Sequence, residues 1–147
     1  MSQPRKNDKS VVLIAEDDPD DRFLLEVAFQ KFEGDLDFVF VKDGKELMDY
    51  LLRPGTNGGP LPEVGLILLD LNMPKIDGRQ ALLEIKERED LKDIPIVVWT
   101  TSMEDDDREF CAGLGAEGFV TKPFGFDDLD ATISHIVKEW LHLSSPE

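Results

Sequence analysis

Thiol and imidazole side chains are nearly absent from this chain, which has one cysteine and two histidines in 147 residues. Zinc sites draw on clusters of those residues, so their scarcity argues against one. The lone Cys111 cannot form an internal disulfide and reads as a small core residue in a reducing cytoplasm. His135 and His142 fall on or just after the last helical pattern and read as polar surface positions. Basic residues are also few, 16 against 32 acidic, for a net charge of -16. Such a surface repels the phosphates of nucleic acid and of anionic lipid, so neither is an expected partner. Long apolar runs are missing as well. After Arg5, Lys6 and Lys9, only Val11 to Ala15 precede Glu16, too short for a signal-peptide core. No run approaches the roughly 18 residues of a membrane span. The remainder, 41% apolar, is a single globular domain able to bury a full core.

Four apolar runs stop at residues that carry chemistry. Val11-Val12-Leu13-Ile14-Ala15 ends at Glu16-Asp17-Asp18, and Gly65-Leu66-Ile67-Leu68-Leu69 ends at Asp70. Ile94 to Trp99 ends at Thr100-Thr101-Ser102, and Gly118 to Thr121 ends at Lys122-Pro123. Continuous apolar stretches of this length are buried parallel strands. A second strand is predicted where Leu36, Phe38 and Phe40 alternate with Asp37, Val39 and Val41. Helical patterns fall between the strands. The first starts at Pro19 with Asp18 as N-cap and is carried by Phe23, Leu24, Val27, Ala28 and Lys31. The second follows Asp43-Gly44 and holds Leu47, Met48, Leu51 and Leu52; the third bears Ala81, Leu82 and Ile85. The fourth spans roughly 104–114, and the fifth is marked by Leu129, Ile133, Ile136, Val137 and Trp140. Residues 1–9 and 143–147 read as tails, and Arg53 to Glu63, with three glycines and three prolines, as loop. Strictly alternating strand and helix predict a five-stranded, doubly wound parallel sheet in three layers, (βα)5, over residues 10–142.

Ligands of open α/β sheets bind beyond the carboxyl ends of the strands. Glu16, Asp17 and Asp70 therefore share one rim. Two unit charges 4 Å apart repel by roughly 4 kcal/mol at an effective dielectric of about 20. Three carboxylates so placed call for a counter-ion, and hard oxygen ligands favour Mg²⁺ or Mn²⁺. The bland alternative, that Glu16-Asp17-Asp18 only caps a helix, suits Asp18 but ignores the arrival of Asp70. An EF-hand loop from Asp17 fails, because Pro19 and Arg22 stand at its third and sixth positions. Lys122 offers an ammonium to Asp70 and to phosphate oxygens, and a cis Lys122–Pro123 bond would aim it inward. Thr100 offers a hydroxyl to a phosphoryl oxygen, although threonine is common in strands. Ser102 with Asp105 also fits a capping box for the fourth helix. The set points to a cation and a phosphoryl group.

With Glu16-Asp17, Asp70 in Leu68-Leu69-Asp70-Leu71-Asn72-Met73-Pro74, Thr100 in Trp99-Thr100-Thr101, and Lys122-Pro123 in order, the chain resembles a response-regulator receiver domain of two-component signalling. The resemblance runs from about residue 10 to 142. It implies the flavodoxin-like fold of the chemotaxis response regulator. It also implies that Asp70 accepts a phosphoryl group from a sensor histidine kinase or a histidine phosphotransfer protein. Mg²⁺ or Mn²⁺ would sit on Asp17, Asp70 and the backbone carbonyl of Asn72, with Glu16 acting through water. Lys122 would pair with the phosphoryl group and Thr100 would report it, with the aromatic Phe119 turning inward behind. Asn72 and Ser102 would tune dephosphorylation. Neither His135 nor His142 matches a phosphorelay histidine.

Within the family the chain looks like the stand-alone receivers paired with phytochrome-type sensor kinases, with no DNA-binding domain after the fifth helix. Its output is then a protein contact on the fourth helix, fifth strand and last helix. A homodimer is one form of that contact, Trp140 and Leu141 supplying an apolar anchor beneath the charge of Glu104 to Glu109. Two rivals are weaker. A haloacid-dehalogenase-like phosphatase would need an aspartate where Asn72 stands, and a receiver-like scaffold that is never phosphorylated would not need the full set of acidic, hydroxyl and basic residues.

Overall fold

The computed structural model describes residues 10–32, 34–52, 64–71, 78–101, 105–123 and 125–141. Strands β1 (Ser10–Ala15), β2 (Leu36–Val41), β3 (Val64–Leu69), β4 (Ile96–Thr100) and β5 (Gly118–Thr121) alternate with five helices. These are α1 (Pro19–Gln30), α2 (Gly44–Leu52), α3 (Gly78–Glu87), α4 (Asp105–Gly113) and α5 (Phe126–Leu141). The strands form one parallel sheet in the order β2-β1-β3-β4-β5. The chain direction across the sheet reverses between β1 and β3, and a crevice opens at such a switch point.

Strand alternation divides the core into two layers. Leu13, Ala15, Ile67, Leu69, Ile96 and Val98 pack with buried residues of α2, α3 and α4, among them Leu47, Leu82 and Cys111. Val12, Ile14, Leu66, Leu68, Val97 and Trp99 face α1 and α5. Both faces are covered, as the continuous apolar strands require. Cys111 is fully buried, in line with its reading as a core residue.

The helix starts follow from local chemistry. Asp18 caps α1, its carboxylate accepting from the N–H groups of Asp20 (2.8 Å) and Asp21 (3.3 Å), with Pro19 at the first helical position. Asp43 does the same for α2, accepting from Glu46 N–H at 2.8 Å, while Glu46 accepts from Lys42 N–H at 3.0 Å. Removing such a cap costs about 1 kcal/mol.

Two details differ from the sequence reading. On α1 the buried stripe is Leu25, Ala28 and Phe29, continued by Phe32, and Phe23 is 64% exposed. Phe23 lies two residues, or about 200° of helix, before Leu25 and so falls off the buried stripe, whereas Ala28 of the expected set is on it and Leu24 packs beside it. Leu52, one residue past the buried Leu51, likewise points out. The third and fifth helices bury the residues expected of them, with Trp140 half-buried against the same layer as Ile136 and Val137. The loop Arg53 to Glu63, both tails, His142 and the Ser102 end of the expected capping box lie outside the described residues.

Candidate phosphoryl and metal site

Backbone ladders bring the carboxylates together. Asp70 N–H donates to the Ala15 carbonyl at 3.1 Å, extending the β1–β3 ladder past its last residues, and Glu16 N–H donates to the Val41 carbonyl at 2.9 Å. Side-chain oxygens of Glu16, Asp17 and Asp70 then lie within 4.8 Å of one another. Glu16 is fully buried, Asp70 nearly so, and Asp17 is exposed. Opposite them, Lys122 N–H donates to the Thr100 carbonyl at 2.7 Å, continuing the β4–β5 ladder. That ladder, not proline geometry, turns the lysine inward. The Lys122–Pro123 peptide is not cis, which corrects the expectation for this bond.

The ammonium of Lys122 touches three carboxylates. It is 2.7 Å from Glu16 Oε1, 3.0 Å from Asp21 Oδ2 and 3.2 Å from Asp70 Oδ2. Burial pushes the Glu16 carboxyl up to about 8, opposed by Lys122 and reinforced by the neighbouring Asp70. Burial works to lower the Lys122 ammonium, yet its hydrogen bond and charge contact with Glu16, followed by Asp70 and Asp21, carry it above the usual lysine range. A single ammonium does not satisfy this many acids. Glu16 Oε1 stays buried without an aligned hydrogen-bond donor despite its short ion-pair distance. A buried, incompletely satisfied oxygen beside two further carboxylates fits a hard divalent cation such as Mg²⁺ or Mn²⁺.

These groups border an open cleft of about 440 Å³, lined by Glu16, Asp17, Asp18, Pro19, Asp21, Asp70, Thr101 and Lys122. Thr100 is fully buried at the end of β4, so it backs the cleft while Thr101 forms part of its surface. Phe119 is half-buried on β5, its ring covered by the Arg108 guanidinium of α4 at 4.9 Å. Asn72 and Ser102, expected to tune the site, lie outside the described residues.

Trp140 and Leu141 sit elsewhere. A Cβ placed on Gly118 would meet Trp140 at 3.5 Å, and one on Gly65 would meet Leu141 at 3.0 Å. Both side chains thus cover the starts of β5 and β3, the end of the sheet away from the carboxylates. They do not lie beneath the acidic start of α4, as the sequence reading had it, because α5 runs back along the sheet from the rim.

Sequence reasoning overlooked two positions. Asp21 was not connected with Lys122, although it stands in the same acidic stretch as Asp17. Gly78 was given no role at the site. A Cβ there would lie 2.4 Å from the Asp70 carbonyl oxygen and 2.6 Å from Leu71 Cα. The Asp77-Gly78 pair before a helical pattern was the available signal.

Sheet order, covered faces and a polar cleft at the β1/β3 switch point define a flavodoxin-like receiver module. The chain belongs to the response regulator receiver domain family, whose pattern matches residues 12–134. It is therefore the receiver domain of a two-component response regulator. Response regulator Rcp1 of Synechocystis is 37% identical over 135 residues, 92% of this chain and 91% of its own. The probable methanogenesis regulatory protein FilR2 of Methanothrix harundinacea is 37% identical over 136 residues, 91% of this chain and 85% of its own. Among solved structures, the phosphorylated cyanobacterial phytochrome response regulator RcpA superposes with a TM-score of 0.82 at 34% identity, covering 95% of this chain and 99% of its own. The Mn²⁺-bound form of Rcp1 gives 0.80 at 36% identity, covering 94% and 99%. Receiver domains act as signalling phosphoacceptors that meet histidine kinases and downstream proteins. No described helix is long and apolar enough to cross a membrane.

Proposed function

We propose that Asp70 is the phosphoacceptor and that it takes its phosphoryl group from a sensor histidine kinase or a histidine phosphotransfer protein in the cytoplasm. The observation that carries this reading is the position of Asp70 itself. It stands at the end of the central strand, 4% exposed, among Glu16 and Asp17 and 3.2 Å from the Lys122 ammonium. A carboxylate held beside a cation attacks phosphorus in line, and the surrounding positive charge stabilises the equatorial oxygens.

Asp17, Asp70 and the Asn72 backbone carbonyl would hold Mg²⁺ or Mn²⁺, with Glu16 acting through water. Neutralisation of clustered carboxylates and of the phosphoryl oxygens is the chemistry such a cation supplies when bound. Lys122 pairs with the phosphoryl group, Thr100 senses it from behind the cleft, and Phe119 responds on β5. Asn72 and Ser102 set how a hydrolytic water approaches. The likeness to Rcp1 and RcpA supports a phytochrome-type kinase as donor. Output is by protein contact on α4, β5 and α5, a homodimer among the alternatives.

Labelling with acetyl phosphate or phosphoramidate tests the assignment. Intact mass should rise by one phosphoryl group in wild type, only with Mg²⁺ or Mn²⁺, and not in Asp70→Asn. Full labelling of the variant, or labelling undiminished by a chelator, would overturn it.

A further inference from the structure

An ammonium has three N–H groups, and three carboxylates already crowd that of Lys122, two through hydrogen bonds and one through an ion pair. Aligned hydrogen bonds run to Asp21 at 3.0 Å and Asp70 at 3.2 Å, and the ion pair to Glu16 closes at 2.7 Å. For Lys122 to hold a phosphoryl oxygen, one of these contacts has to open. Glu16 is fully buried, so water cannot replace the ammonium on its carboxyl, and opening that contact is the most costly choice. Asp70 is the group being modified. Asp21 belongs to the first turn of α1, and its side chain is 35% exposed, so water replaces the ammonium there. Its position is not accidental to the helix start: its N–H donates to the Asp18 cap at 3.3 Å, which fixes where the carboxylate emerges.

Resting on Asp70 as phosphoacceptor, we infer that Asp21 is a positioning residue: it holds Lys122 against α1 in the unphosphorylated protein and yields it to the incoming phosphoryl group. With phosphoramidate, the Asp70 oxygen–phosphorus bond forms as the phosphorus–nitrogen bond breaks. The electron pair leaves on the nitrogen, already protonated in the donor, and ammonia departs. Lys122 exchanges its Asp21 contact for a phosphoryl oxygen as charge builds there. Asp21 thereby opposes phosphorylation through the one side chain that both carboxylate and phosphate need.

The test compares phosphoramidate labelling rates at saturating Mg²⁺ for wild type, Asp21→Asn, Asp21→Glu and Asp20→Asn. Asp20 lies in the same first turn and is exposed, with no ion pair to Lys122, so its variant removes the same charge without the contact. Asp21→Asn should label about fivefold faster, the scale of a partly exposed ion pair. Asp21→Glu, which keeps the charge and reaches the lysine, should return to the wild-type rate, as should Asp20→Asn. An Asp21→Asn rate at or below wild type would overturn the inference. Equal acceleration by Asp20→Asn, or none reversed by Asp21→Glu, would also do so. Wild type that takes no label, or Asp70→Asn that does, would instead sink the phosphoacceptor reading beneath it.

Discussion

Replacing Gly78 by alanine should loosen the site from behind. The helix α3 begins at Gly78, whose N–H donates to the Leu71 carbonyl at 3.1 Å, so the helix start lies directly against the end of β3. A Cβ on Gly78 falls 2.4 Å from the Asp70 carbonyl oxygen and 2.6 Å from Leu71 Cα. Real Cβ atoms essentially never approach within 3.0 Å, so the two backbones must separate by at least 0.6 Å. No flexible side chain stands in the way to give. Asp70 is itself tied to β1 by its N–H bond to the Ala15 carbonyl, so motion there strains the central ladder. Overpacking a close-packed region costs about 1–3 kcal/mol, and contact with backbone places this variant toward the upper end. Gly78→Ala should therefore lower the urea midpoint by about 1–2 M at a slope typical of a domain this size, about 1–3 kcal/mol per molar. It should also weaken Mg²⁺ binding and slow phosphorylation, since a shift of this size moves Asp70 relative to Asp17 and Lys122. Paired urea titrations and a Mg²⁺ titration would measure both. An unchanged midpoint together with unchanged Mg²⁺ affinity would refute the steric argument.

Two further perturbations act on charge. Because burial raises the Glu16 carboxyl from 4.5 to about 8, the folded protein holds that proton more tightly than the unfolded chain does. Its contribution to stability is then full below about pH 4.5 and is lost as pH climbs to about 8, by at most about 5 kcal/mol at 1.36 kcal/mol per pH unit. Lys122, raised above its usual range, enters only at higher pH. Metal-free wild type should lose stability between pH 5 and 8 more steeply than Glu16→Gln in urea titrations, and equal slopes would count against the buried charge. Mg²⁺ at ten times its dissociation constant should stabilise wild type by about 1.4 kcal/mol. Asp17→Ala should lose most of that melting shift, and an undiminished shift would remove Asp17 from the metal site.

Much of the fold was legible because parallel strands buried on both faces leave an unmistakable trace. Val11 to Ala15 and Leu66 to Leu69 are apolar without alternation, and each stops abruptly at acid. Those stops located Glu16, Asp17 and Asp70, since strand direction alone puts their ends on one rim. Helix phase was harder to read. On α1 the apolar residues nearly encircle the axis, from Phe23 through Leu24, Leu25, Val27, Ala28 and Phe29, so periodicity did not single out a face. Only packing against the sheet and α5 chooses Leu25, Ala28 and Phe29 and leaves Phe23 in water.

The missed site residues share a different cause. Gly78 matters because of a backbone approach to Asp70, and no side-chain pattern records an approach of that kind. Asp21 meets Lys122 across 101 positions of sequence. In an acidic chain with 32 carboxylates, nothing local distinguishes the one that faces the lysine from its neighbour Asp20, which points to solvent. The distinction arises from the helix start. Asp18 caps α1, the cap sets the first turn, and the first turn aims Asp21 into the cleft and Asp20 away from it. A capping residue that contributes about 1 kcal/mol to a helix end therefore also decides which acid competes for the lysine. Helix start and site chemistry are coupled through Asp18, so a change of cap should be felt at Lys122 even though Asp18 never touches it.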